Sequence, residues 1–234
     1  MSRPLWAWVT LAATLAFVTA PLLTPGFGGY DPEQFPVRQD SPPVQPAGYA
    51  FSIWGLIYLW LAVSAVFGVW TRRDAPDWAP MRPALALSVG IGAAWLSVAL
   101  ASPLAATVLI WVMLGTALVA LLRAPAHDPW LARHPVGLYA GWLTAASSVS
   151  IGLVLAGYGL TGPRVAALIG LALALGIGLL VMARLRDRLA YGAALIWALI
   201  AVVVQNIGGD PVIAVLAALA ALVFAGRVLL RRNV

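Results

Sequence analysis

Eight apolar runs, each about as long as a membrane-spanning helix, dominate the chain. The hydrocarbon core of a bilayer is about 30 Å thick, and a helix needs about 20 apolar residues to cross it. Only Ser102 and Pro103 separate the third run from the fourth, which predicts a tight helical hairpin. The predicted spans cover residues 5–23, 51–70, 84–101, 104–122, 136–157, 164–183, 189–206 and 211–230. We therefore predict an all-α integral membrane protein, a bundle of about eight transmembrane helices.

The composition supports this class and excludes several kinds of site. Charged residues make up 9% of the chain, whereas a soluble domain carries roughly 25%. Cysteine is absent, so disulfides, thiolate metal sites and a Cys nucleophile are excluded. His127 and His134 are both assigned to one polar loop, so the apolar segments offer no axial ligand to a haem.

The arginines predict how the helices are oriented. With the N-terminus inside, all but two of the 14 basic residues fall on the inner side, the exceptions being Arg38 and Arg164. Inner loops of membrane proteins are enriched in Lys and Arg, so we expect both termini in the cytoplasm. No basic face with interleaved aromatics exists for a nucleic acid. The inner set is Arg3, Arg72, Arg73, Arg82, Arg123, Arg133, Arg184, Arg186, Arg188, Arg227, Arg231 and Arg232.

Ionisable residues are missing from the middle of every predicted span. Such residues mark proton relays, ion sites and voltage sensors, so their absence argues against a pump, an ion-coupled transporter or a channel for charged species. Ser147 and Ser148 lie in the fifth run without an intramembrane base to activate them. We therefore expect no enzymatic activity.

Aromatic and small residues share faces on three of the predicted helices. Helical spacing aligns Phe51 with Trp54 and Tyr58. Such faces are consistent with the wall of a flat apolar pocket, but spacing alone favours helix packing through small residues. Gln205 and Asn206, at the end of the seventh run, are interpreted as an interfacial helix stop or as a polar contact at a pocket mouth. The other two faces comprise Ser88, Gly92 and Trp95, and Trp142, Ala146 and Ser150.

Three motifs resemble the tryptophan-rich sensory protein family, which includes TspO and the mitochondrial translocator protein (peripheral benzodiazepine receptor). The segment PAGYAFSIWGLIY at 46–58 resembles the loop and second helix of that family. The segments AAWLS at 93–97 and LYAGWLTAA at 138–146 resemble motifs of its third and fifth helices. The resemblance covers residues 1–157, and residues 158–234 are then three additional C-terminal helices. Gly92 and Ser150 stand where the family has Asn, and the first loop lacks the family's tryptophans.

The resemblance implies a membrane sensor or receptor, often dimeric, that binds a flat hydrophobic molecule such as a porphyrin or a sterol. No covalently bound cofactor is implied. The expected partners are the lipid bilayer, the hydrophobic small molecule, and a second copy or another membrane protein. Carried over by position, the pocket comprises Phe51, Trp54, Tyr58, Trp95, Trp142, Ala146 and Ser150, covered by Pro46, Gly48 and Tyr49.

Two other functions fit the sequence. One is a carrier of neutral or amphipathic compounds, although no internal repeat supports it. The other is a scaffold for a membrane complex, with Gly170, Ala174 and Gly178 of the sixth run as the contact face. The basic residues are all Arg, and Ala and Leu are abundant, which indicates a GC-rich bacterial source and hence the bacterial inner membrane.

Overall fold

The computed structural model describes residues 2–24 and 28–230. Within these ranges the chain forms eight helices long and apolar enough to cross a membrane, and no strand. The predicted fold class is therefore confirmed. Pro25 of the first loop and the arginines Arg231 and Arg232 of the tail lie outside the described residues. The helices are α1 (Arg3–Thr19), α2 (Ile53–Trp70), α3 (Arg82–Ala101), α4 (Pro103–Leu122), α5 (Arg133–Gly157), α6 (Pro163–Arg184), α7 (Leu189–Asn206) and α8 (Pro211–Leu229).

Local chemistry explains several helix starts. Proline lies in the first turn of α1, α3, α4, α6 and α8, where its missing N–H would have no helical partner anyway. Ser102 closes the α3–α4 hairpin, and its Oγ accepts a hydrogen bond from the N–H of Ala105. Asp210 caps α8 by accepting from the N–H groups of Val212 and Ile213. The predicted hairpin is thus present, with a side-chain cap at its turn.

The helices form two rings that share α5. The first ring runs α1, α2, α5, α4, α3 and back to α1. The second runs α5, α6, α8, α7 and back to α5. In the apolar 18-residue stretch of α5, 72% is buried, a larger share than in any other span of the described residues. Helices α6 and α7 therefore pack directly on α5, the helix common to both rings, and α8 packs on α6 and α7.

Small residues allow the close approach between α5 and α7. A Cβ at Gly141 would lie 2.4 Å from the carbonyl oxygen of Tyr191, so only glycine fits there. Gly178 of α6 similarly accommodates the ring of Phe224 from α8. The α6 face of Gly170, Ala174 and Gly178, considered above for a partner, is thus buried within the chain.

The position of His134 differs from the one predicted from the sequence. His134 lies in the first turn of α5 rather than in a loop, is 5% exposed, and has Nε2 2.5 Å from Oδ2 of Asp187. Pro135 does not interrupt the helix, because proline is compatible with the first turn of a helix. Helix α5 therefore begins at Arg133, before the predicted start. His134 and Asp187 connect α5 to the α6–α7 turn at the end of the bundle that carries most of the arginines.

The first loop is turn-rich, as its prolines predict. Short 3₁₀ turns cover Pro32–Gln34 and Gly48–Ser52, and Asp31 caps the first of them through the N–H of Glu33. The remaining described residues of the loop are irregular. We call residues 28–50 the outer loop.

Candidate ligand-binding site

Four aromatic side chains from three parts of the first ring converge near the outer loop. We call Phe51, Trp54, Trp95 and Trp142 the aromatic wall. The Trp142 ring stands edge-on to Trp54, with centroids 6.2 Å apart, and to Phe51 at 6.0 Å. Trp95 is fixed by a hydrogen bond from Nε1 to the carbonyl oxygen of Ala106. Such edge-on pairs favour one arrangement of the rings.

The aromatic wall separates two cavities. The inner cavity, of about 150 Å³, lies inside the first ring and reaches Phe17, Tyr58 and Met113. The lateral cavity, of about 80 Å³, lies between α5, α6, α7 and the outer loop. Phe51, Trp54, Trp95 and Ile110 line both. The two cavities are therefore lobes on either side of one set of rings.

The predicted site residues fall into three groups. Tyr58 lines the inner cavity together with three members of the aromatic wall. Gly48 and Tyr49 line neither cavity, and the Tyr49 ring packs against Trp197 with centroids 5.5 Å apart. The remaining predicted residues line the lateral cavity: Pro46, Phe51, Trp54, Trp95, Trp142, Ala146 and Ser150.

The packing around Gly92 explains why this chain has glycine where the family has Asn. A Cβ at this position would lie 2.6 Å from Cε2 of Phe17. The Phe17 ring also stands edge-on to Trp54 and Tyr58, at 5.9 and 5.0 Å. An aromatic side chain of α1 thus occupies the space that an Asn would require.

The outer loop covers the lateral cavity and is attached to α7. The N–H of Ala47 donates to the carbonyl oxygen of Ala201 at 3.0 Å. Nε1 of Trp197 donates to the carbonyl oxygen of Ala50 at 2.9 Å, and Nδ2 of Asn206 donates to that of Pro43 at 2.9 Å. Asn206, the last residue of α7, therefore contacts the loop without lining the cavity.

Side chains of the loop also insert between helices. Val44 is 3% exposed, and its Cγ2 lies 2.8 Å from where a Cβ would stand on Gly152 of α5 or on Gly170 of α6. Phe35 packs in the same way over Gly157. The sequence analysis missed these contacts, because glycine in an apolar run signals close packing without naming the partner.

The described lining of both cavities contains no Asp, Glu, Lys, Arg or His. Ser148 in the lateral cavity donates to the carbonyl oxygen of Thr144 in its own helix. The buried Nε1 of Trp142 has no hydrogen-bond partner among the described residues. The cavities can therefore bind a ligand chiefly by removing apolar surface from contact with lipid and water.

The cavity volumes limit the size of ligand that this structure can hold. Pockets for drug-sized ligands begin at about 300 Å³, well above either cavity. A porphyrin is larger still, its carboxylates would need cationic partners, and the described lining supplies none. The two cavities of this structure thus do not fit a porphyrin.

Comparison with family models matches residues 6–230 to the TSPO-like protein model. The chain belongs to the TSPO-like protein family. The match extends through α6, α7 and α8, beyond the five helices whose motifs carried the resemblance. Searches of curated proteins and of solved structures returned no significant match. This TSPO-like protein is thus a multi-pass membrane protein whose family motifs surround the two cavities.

Proposed function

We propose that this TSPO-like protein acts as a membrane sensor that binds a compact, flat apolar ligand against the aromatic wall. The observation that carries the proposal is the pair of apolar cavities bordered by Phe51, Trp54 and Trp95. An aromatic ring buries about 150–250 Å², which corresponds to ~4–6 kcal/mol at about 25 cal/mol/Å². The cost of ordering the ligand reduces this gain.

Porphyrin- and sterol-like molecules are the larger ligands that the family resemblance implies. Their binding would require the outer loop to separate from α7, because the two cavities of this structure are too small. We propose the bacterial inner membrane as the location, because all 14 basic residues are Arg, which is typical of a GC-rich bacterial source. The two size classes of ligand can be compared in one experiment.

The test is a titration of the detergent-solubilised protein with bromobenzene and with protoporphyrin IX, followed by tryptophan fluorescence. We expect saturable quenching by bromobenzene and at least tenfold weaker binding in Trp142→Leu. The control Trp8→Leu removes an indole that is 52% exposed on α1, so it keeps the number of fluorophores equal and should retain parental affinity. Quenching that rises without saturation, or that both variants change equally, would contradict the proposal.

A further inference from the structure

The lateral cavity has two chemically different sides. The side formed by the first ring carries the rings of Trp54 and Trp142, whereas the side formed by α6 and α7 is aliphatic. The aliphatic side consists of Gly170, Leu171, Ala174, Leu195, Ala198 and Leu199, with Val202 at its edge. A ligand that fills this cavity therefore meets aromatic faces on one side and methyl groups on the other.

Ala174 occupies a distinctive position on α6. It is the middle member of a series at four-residue spacing, Gly170, Ala174 and Gly178, which lies on one face of the helix. Gly170 is covered by Val44, and Gly178 is covered by the ring of Phe224. Ala174 lines the cavity between these two filled positions. Among the described residues, the series thus leaves one recess that no side chain fills.

Ala198 of α7 lines the same cavity. It is 4% exposed and Ala174 is 6% exposed, so both are enclosed by the bundle rather than by lipid. Both side chains are single methyl groups. A larger side chain at either position would take space from the cavity.

We propose that Ala174 and Ala198 are specificity-determining residues, which admit a short branched alkyl group of the ligand. The ring of the ligand lies on the aromatic wall, and its alkyl group lies in the recess between α6 and α7. This inference rests on the proposed function, and it names the ligand class as an alkyl-substituted aromatic or similarly flat molecule. It also gives α6 and α7 a direct part in ligand binding.

The test compares bromobenzene with 1-bromo-4-isopropylbenzene, which differ only by the alkyl group. We expect Ala174→Leu and Ala198→Leu each to raise the Kd of the isopropyl compound at least tenfold and that of bromobenzene less than threefold. The controls are Ala172→Leu on α6 and Ala193→Leu on α7, both at exposed positions, and they should leave both Kd values unchanged.

A third variant keeps the test decisive if the leucine variants fail to fold. Ala174→Gly enlarges the recess, so it should improve binding of 1-bromo-4-tert-butylbenzene relative to bromobenzene by at least threefold. Suppose that bromobenzene and the alkyl-substituted compounds bind the parent saturably, but that no variant changes the ratio of their Kd values. The inference is then wrong and the proposed function stands. If neither compound binds the parent saturably, the proposed function itself fails and the inference fails with it.

Discussion

Asn206, the last residue of α7, donates a hydrogen bond from Nδ2 to the carbonyl oxygen of Pro43, 163 positions earlier in the chain. Asn206 is 2% exposed, and its Nδ2 also donates to the carbonyl oxygen of Val202. A buried carbonyl that loses its donor is costly. This contact therefore joins the outer loop to a helix outside the first ring.

We expect Asn206→Ala to lower the free energy of unfolding by about 1 kcal/mol and to speed amide exchange at Val37, Gln45 and Ala47. Gln205→Ala is the control, because its bond to Ser41 lies at the surface. Hydrogen–deuterium exchange followed by mass spectrometry measures both effects. Equal exchange in Asn206→Ala and parent would show that the contact does not hold the loop.

The insertion of Val44 predicts coupling between the loop and α6. Gly170→Ala should destabilise the protein by about 1–3 kcal/mol, since the new Cβ overpacks the site. Val44→Ala, combined with it, should recover part of that loss by removing the contacting methyl groups. Gly176→Ala is the control, because nothing lies within 4 Å of its Cβ position. Additive effects of Gly170→Ala and Val44→Ala would refute the contact.

Arg82 predicts a stability effect at the arginine-rich end. It is 2% exposed, and its guanidinium donates to the carbonyl oxygens of Gly68, Arg72, Arg73 and Arg3. Gly68 lies in the last turn of α2, where carbonyls lack helical partners. Arg72 and Arg73 follow that helix and Arg3 begins α1, so Arg82 joins the end of α2 to the start of α1.

Arg82→Met should therefore reduce the free energy of unfolding by about 3 kcal/mol, because the carbonyls lose their donors. Arg82→Lys should lose less of the free energy of unfolding than Arg82→Met. Arg73→Met, at an exposed arginine, should change the free energy of unfolding by less than about 0.5 kcal/mol. Thermal unfolding in detergent measures all three. Equal melting temperatures for Arg82→Met and Arg73→Met would contradict the assignment.

The pair of His134 and Asp187 predicts a pH dependence. Burial raises the pKa of Asp187, but the hydrogen bonds with His134 and from the N–H of Leu189 outweigh burial, so the pKa lies below the ordinary value of 3.8. A carboxylate whose pKa is lower in the folded state stabilises the fold at any pH above its pKa in the unfolded state. That stabilisation is lost as the pH falls through the pKa of the folded state.

Asp187→Asn should thus melt at a lower temperature than the parent at pH 6–7, with the difference shrinking below about pH 4. Asp74→Asn is the control, because Asp74 lies at the surface, where it pairs with Arg73. A difference between Asp187→Asn and parent that persists unchanged at low pH would exclude an ionic contribution.

The sequence predicts the eight helices well, because each span requires a long apolar run that is visible locally. Phe51, Trp54 and Trp142, which line the lateral cavity, belong to recognisable motifs, whereas the lining from α6 and α7 is not predicted. Nor does the sequence predict that α5 belongs to both rings, or that Val44 packs on Gly170. Those contacts depend on which helices become neighbours. Within a membrane the lipid-facing and the buried faces of a helix are both apolar, so the local sequence does not identify the neighbour.

The most direct test of the account is to locate the bound ligand. Crystals of the protein grown with saturating bromobenzene allow the bromine to be placed by its anomalous scattering. We predict a bromine peak in contact, within about 4.5 Å, with the rings of Trp54 or Trp142. A saturating ligand whose bromine lies only on the lipid-facing surface, with both cavities unoccupied, would contradict the central claim.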